Sequence, residues 1–140
     1  MSPSRYFGIS PALVSPLDGA RNIVIAKLVP HADALLKRGA ESVTVFGTTG
    51  EGTSFSLAER ESAVLALIAS GIPAGKIVEG VLECSIDGAA AGVGGALKRG
   101  ARAVLLAPPF YFRGVDDTAL LGWFSEVFKR AGAPLRRGAP

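Results

Sequence analysis

Glycines at 39, 71, 100 and 132 each close an amphipathic stretch, and they stand 32, 29 and 32 residues apart. The first and third close similar phrases, "ALLKRGAESVTVF" from Ala34 and "ALKRGARAVLLAPP" from Ala96; looser copies read "LALIASGIPAGKIVEGV" and "FSEVFKRAGAPL". Glycine suits the left-handed position just past a helix, and a Lys or Arg in the last turn favours the negative end of the helix dipole. An apolar run follows each of the first three glycines. A repeat of this length is one strand–helix unit, so the chain is predicted to be α/β, with a parallel sheet covered by helices.

The strands are predicted at residues 9–14, 42–46, 76–82 and 103–107, short apolar runs of the kind that parallel strands buried on both faces show. With the helices between them they make about four strand–helix units and the stub of a fifth. Ser56 and Glu59 have the spacing of a capping box at the helix beginning near Leu57. Asp116 and Asp117 read as helix-start residues, before a helix predicted to present Leu120, Leu121, Phe124, Val127 and Phe128 on one face. Two features oppose this plan. Pro30 sits inside the first periodic segment, where an interior proline costs about 3 kcal/mol and is expected to kink or divide the helix. Gly88, Gly92, Gly94 and Gly95 thin the third helix at roughly 1 kcal/mol each, so that helix must depend on packing.

The totals narrow the function. A chain of 140 residues, 49% hydrophobic and 19% charged, holds one domain with a real core and is not disordered. The net charge is +3, with Arg136 and Arg137 at the extreme end, and no basic stripe is interleaved with aromatics; nucleic acid is not an expected partner. Cys84 is the only cysteine, which excludes an internal disulfide. The opening "MSPSRYFGIS" has no apolar signal region. The most apolar stretch, "AVLLAPPFYF", contains two prolines and falls well short of the roughly 20 residues a spanning helix needs. The expected setting is the cytoplasm, with no membrane partner.

In parallel α/β folds the site lies at the carboxyl ends of the strands. Those ends read "SPLDG", "GTTGEG", "ECSIDG" and "APPFYFRG". Thr48 and Thr49 offer hydroxyls and backbone N–H groups, and the flanking glycines let a small anion approach the backbone. A carboxylate fits this loop better than a metal, which needs clustered His, Cys, Asp or Glu, and no cofactor is called for. No lysine follows the glycines, so the nucleotide P-loop pattern is absent. The competing reading is a glycine-rich turn whose threonines cap local backbone. Tyr111 either relays a proton or buries its ring with the hydroxyl at the rim. Cys84 reads as a small buried residue, because the single histidine, His31, falls on the first helix, away from it. His31 reads as a surface or helix-packing residue, and Glu51 as a local cap or pair.

The segments "GISPALVSPLDG", "ESVTVFGTTGEGTSFSLAER" and "RAVLLAPPFYFRG", in this order and spacing, resemble the amino-terminal half of the dihydrodipicolinate synthase / N-acetylneuraminate lyase family, over about Tyr6 to Gly132. The resemblance implies the amino-terminal half of a (β/α)8 TIM barrel over residues 1–134, with 135–140 a divergent tail. It also implies a homo-oligomer, usually a tetramer, and a lyase that joins a lysine to pyruvate or another 2-oxo acid as a Schiff base. Such an enzyme then makes or breaks a carbon–carbon bond to an aldehyde. Matched position by position, Thr48 and Thr49 would hold the 2-oxo-acid carboxylate and Thr48 would join a proton relay. Tyr111 would be the relay tyrosine that a neighbouring subunit inserts.

The family pattern next calls for an apolar fifth strand ending in Tyr-Asn and a sixth ending in the Schiff-base lysine. This chain instead reads "LRRGAP" after Ala133-Pro134 territory, which suggests a truncated or frameshifted coding region. Lys27, Lys37, Lys98 and Lys129 fall on helices, and Lys76 opens its strand at the end opposite the site. The chemistry needs an amine placed against the keto carbon, so no turnover is expected from this chain alone. Four strands leave two open edges and an uncovered apolar inner face, which invite pairing with a second copy. The alternative function is a non-catalytic half-barrel or flavodoxin-like binding or assembly module.

Overall fold

The computed structural model of the chain describes residues 7–133. Helices and strands alternate: α1 (Ile25–Lys37), β1 (Val43–Val45), α2 (Leu57–Ala69), β2 (Ile77–Val81), α3 (Ile86–Arg99), β3 (Ala103–Leu106) and α4 (Asp117–Ala131). The three strands pair in parallel in the order β1-β2-β3. A further segment runs along the outer edge of β1. There Ala12 bridges Thr44, the Leu13 amide donates to the Thr44 carbonyl at 2.8 Å, and the Thr44 amide donates to the Pro11 carbonyl at 2.8 Å.

The first of the four predicted strands is therefore reduced to a bridge, because Pro11 brings no N–H to a ladder. The other three are present and shorter than predicted. Phe46 turns out of β1 into a left-handed conformation, and Lys76 belongs to a 3-10 turn (Ala74–Lys76) ahead of β2. Among the described residues the fold is α/β with a three-stranded parallel sheet and four α-helices, rather than four complete strand–helix units. The predicted tail and the stub of a fifth strand lie outside the described residues.

Neighbours in the sheet follow chain order without reversal. A flavodoxin-like sheet binds its ligand where the order reverses, and no such point exists among the described strands. Strand register sorts the side chains. Val43 aligns with Ile77 and Val45 with Glu79, while Glu79 aligns in turn with Val104 and Val81 with Leu106. This row faces the helices. Val43, Val45 and Ile77 pack with Leu28 and Ala32 of α1 and Val64 and Leu67 of α2. Val81, Val104 and Leu106 pack with Val93 of α3 and Trp123 and Val127 of α4. All four helices thus cover one face, as same-handed crossovers in a sequentially ordered sheet require. The opposite face carries Thr44, Val78, Gly80, Ala103 and Leu105. Thr44 is bonded there to the Ser10 hydroxyl at 2.9 Å, whereas Leu105 is 52% exposed.

The four periodic glycines all adopt positive φ: 100° at Gly39, 99° at Gly71, 80° at Gly100 and 65° at Gly132. Ser56 and Glu59 form the reciprocal capping box at α2, and Asp116 caps α4 by accepting from the Ala119 amide at 2.8 Å. Pro30 does not divide α1, which runs unbroken from Ile25 to Lys37 with Leu28 and Ala32 fully buried. That packing outweighs the single backbone bond the proline cannot make. The glycines of α3 allow close approach: a Cβ on Gly92 would sit 2.9 Å from Val81, and one on Gly95 would sit 2.9 Å from the Glu61 carboxylate. The buried stripe of α4 shares only Val127 with the predicted one. Trp123, Val127 and Ala131, four residues apart, face the core, whereas Leu121 is exposed. Two apolar rows share the helix, and the indole selects between them by donating to the Cys84 carbonyl at 3.2 Å.

Candidate functional site

Beyond β1 the chain turns sharply. Phe46 has φ 57°, a conformation that bulky side chains rarely adopt, and is buried with its ring edge-on to Phe55 at 6.0 Å. Its peptide to Gly47 is enclosed by glycines. A Cβ on Gly52 would lie 1.9 Å from the Phe46 carbonyl oxygen, and one on Gly80 of β2 would lie 2.2 Å from the same atom. A Cβ on Gly50 would lie 2.9 Å from the Phe46 nitrogen. The loop then closes on itself, with the Glu51 amide donating to the Thr48 carbonyl at 3.1 Å and the Gly52 amide donating to the Gly47 carbonyl at 3.1 Å. Glu51 takes φ 53°. From the loop that follows the bridged segment, the Ser15 hydroxyl donates to the Gly50 carbonyl at 2.6 Å.

This scaffold holds Thr48 and Thr49 outward, both exposed, between the buried Gly47 and Gly50. Among the described residues, neither threonine amide donates to a backbone carbonyl. Adjacent N–H groups and hydroxyls on a constrained turn can receive an anion with little reorganisation. Glu51 is exposed and contributes its backbone to the turn.

Beside the loop, a cleft of about 420 Å³ lies at the carboxyl end of the sheet, lined by Thr53, Phe55, Leu82, Glu83, Cys84 and Phe110 among others. Arg60, the arginine of "LAER", is buried beneath it, bonded to Glu83 and to the Ser56 carbonyl. Cys84 is half-buried and lines this cleft, where full burial was expected. Its place three residues past the end of β2 keeps it at the sheet's rim. His31 is exposed on α1.

Tyr111 is 79% exposed in the loop after β3, with its ring edge-on to Phe112 at 5.7 Å. Neither the ring nor the hydroxyl is buried, so the rim-burial reading does not describe it. Phe110 and Phe112 are exposed beside it. Thr48, Thr49 and Tyr111 therefore share the carboxyl edge of the sheet, on loops following β1 and β3. The lysines do not. Lys27 and Lys37 lie on α1, Lys98 on α3 and Lys129 on α4, and Lys76 is 4.0 Å from Glu41 at the opposite edge.

On the helix-facing side, the Arg99 guanidinium meets the buried Glu79 carboxylate at 2.8 Å and Glu61 of α2 at 2.8 Å. These bonds, Glu79 foremost, raise the Arg99 pKa above its ordinary value. The pairing fixes β2 against α2 and α3 just before Gly80. Gly80, Phe46, Ser15 and the Arg60–Glu83 pair went unread in the sequence. The only signal for Gly80 was a lone glycine inside an apolar strand, a sign of close backbone approach. Among the described residues, no cluster of three His, Cys, Asp or Glu side chains could hold a metal, and no helix is long and apolar enough to cross a membrane.

The dihydrodipicolinate synthetase family model matches residues 5–135. The chain belongs to that family. It is 30% identical over 121 residues to an uncharacterized DapA-like lyase of Chloroflexus aurantiacus, a match covering 86% of this chain and 40% of the relative. A dihydrodipicolinate synthase structure from Agrobacterium tumefaciens superposes with a TM-score of 0.89 at 46% identity, over 91% of this chain and 44% of that one. The chloride-inhibited dihydrodipicolinate synthase of Acinetobacter baumannii, complexed with pyruvate, superposes at 0.78 with 24% identity over 91% of this chain and 43% of that one. That last likeness concerns the fold alone. The chain spans about two-fifths of the length of these family members, and its sheet and helices match part of the family's barrel.

Proposed function

We propose that this chain carries the carboxylate-holding part of a 2-oxo-acid site in a Schiff-base lyase of the dihydrodipicolinate synthase kind, with pyruvate as the representative ligand. The observation that carries the reading is the clamped loop after β1, which presents the exposed Thr48 and Thr49 at the carboxyl edge of a parallel sheet. Both threonines hold the carboxylate, through amides and hydroxyls. Thr48 also belongs to a proton relay with Tyr111, whose exposed ring suits insertion into a neighbouring subunit of a homo-oligomer.

The amine that attacks the keto carbon comes from outside these 140 residues, since the five lysines lie on helices or at the opposite edge. On this reading the described residues belong to the amino-terminal half of a TIM barrel, its inner face carrying Thr44, Val78, Gly80, Ala103 and Leu105. The reading needs no metal or other cofactor and no nucleic-acid or membrane partner, and it places the protein in the cytoplasm. Incubation with pyruvate and borohydride, followed by intact mass, tests the missing amine. The mass is expected to stay unchanged, and a reduced adduct on any lysine would contradict the proposal.

A second reading, a non-catalytic half-barrel that acts as an assembly module, is favoured by the exposure of Leu105, Phe110 and Phe112. Size-exclusion chromatography separates it from a self-sufficient unit, because a monodisperse monomer would remove its support.

A further inference from the structure

The peptide between Phe46 and Gly47 is the fixed point from which the threonine loop departs, and the neighbouring strand sets its position. Register places Val45 opposite Glu79, so Phe46 leaves the ladder beside Gly80. A Cβ built on Gly80 would lie 2.2 Å from the Phe46 carbonyl oxygen, 2.4 Å from its carbon and 2.6 Å from the Gly47 nitrogen. All three atoms are backbone, and none can move aside as a side-chain tip could. On its other edge Gly80 is paired with Leu105. Because position 80 carries no side chain, Leu105 reaches across β2 towards Gly47, where an added Cβ would meet its Cδ2 at 3.3 Å. Gly52 seals the same carbonyl from within the loop, and a Cβ there would lie 1.9 Å from the Phe46 oxygen. A bulky residue with a left-handed backbone persists only where its surroundings over-determine it, and these contacts supply that constraint.

We infer that Gly80 is a positioning residue for the Thr48–Thr49 loop: the bare backbone of β2 seats the Phe46–Gly47 peptide and thereby aims the two threonines. Glu79, held by the Arg99 guanidinium that also binds Glu61, fixes the strand immediately before that seat. The purpose of the aim rests on the carboxylate reading given above, while the seating itself does not depend on any ligand. A methyl group at position 80 would force the peptide back by about 1 Å to reach ordinary contact distance, and Thr48 and Thr49 would move with it.

The test compares amide spectra and hydrogen exchange of the whole chain with those of Gly80→Ala, Gly52→Ala and Gly122→Ala. Gly122 lies exposed on α4 with nothing within 4 Å of an added Cβ, so it serves as the control. Gly80→Ala is expected to keep the protected amides of β2 and β3. It should displace the Thr48, Thr49 and Gly50 signals and speed exchange of the Gly52 amide by at least about tenfold. Gly52→Ala presses on the same carbonyl from the loop side, outside any strand, and should displace the same signals; it decides the matter if Gly80→Ala fails to fold. Loop signals that coincide with the wild type in folded Gly80→Ala, or in Gly52→Ala, would overturn the inference, as would an equal displacement in Gly122→Ala. These readings are made without ligand. A wild-type loop indifferent to pyruvate would remove the carboxylate reading and leave the seating to be decided by the spectra.

Discussion

The two faces of the sheet are built on different terms. The face toward the helices is closed: Val43, Val45, Ile77 and Val81 are buried under four helices, and the one acid among them, Glu79, is held by Arg99. The other face carries a hydroxyl pair at Ser10 and Thr44, a buried Val78, bare backbone at Gly80, and a half-exposed Leu105. Stability is concentrated on the first face. On the second, the missing side chain at Gly80 lets backbone approach backbone, and the threonine loop is seated at its upper end. Rigidity on one side and access on the other is what a site on a scaffold requires.

The largest expected effect comes from opening the closed face at its charge. Arg99→Met leaves Glu79 buried without its partner and should lower stability by about 3–5 kcal/mol in urea unfolding; adding Glu79→Leu should recover most of that loss. Leu67→Ala, at a fully buried position of α2, is expected to cost about 2–5 kcal/mol. A loss below about 1 kcal/mol there would mean that the face is less tightly packed than its burial indicates.

Ser56→Ala removes the α2 cap at a cost of about 1 kcal/mol. The same box gives a pH signature. Bonds from the Ser56 hydroxyl first, then the Ser56 amide, hold the Glu59 carboxyl below its ordinary 4.5. Its folded-state value is depressed, so its contribution is complete above about pH 4.5 and disappears as pH falls through the lower folded value. Glu59→Gln should flatten that acid limb of the stability profile. The smallest effect on stability belongs to the open face, where Leu105→Ser should change unfolding by about 0.5 kcal/mol or less. It should nevertheless reduce self-association in sedimentation, and a loss as large as that of Leu67→Ala would erase the contrast between the faces.

The features legible in the sequence were those whose cause is local. Ser56 and Glu59 are three residues apart, Asp116 caps its own helix, and the positive φ of Gly39, Gly71, Gly100 and Gly132 follows from each helix's own end. The threonine loop was legible as a motif on the same grounds. What could not be read depends on distant partners. Nothing near Gly80 in the chain indicates that Phe46 rests on it, and the Arg99–Glu79–Glu61 cluster joins three elements. The first strand failed at Pro11, where an apolar pattern conceals a missing donor. The stripe of α4 was set by an indole reaching Cys84 across to the end of β2, which helical periodicity alone does not encode.

The role of the clamped loop depends on whether it receives a carboxylate. Titrating the isotopically labelled chain with pyruvate, and separately with acetone, which has the ketone and no carboxylate, reads this at the Thr48 and Thr49 amides. Saturable displacement of both signals by pyruvate and none by acetone is the predicted result. Signals that remain fixed under pyruvate would contradict it and leave the two threonines as the exposed corner of a glycine-rich turn.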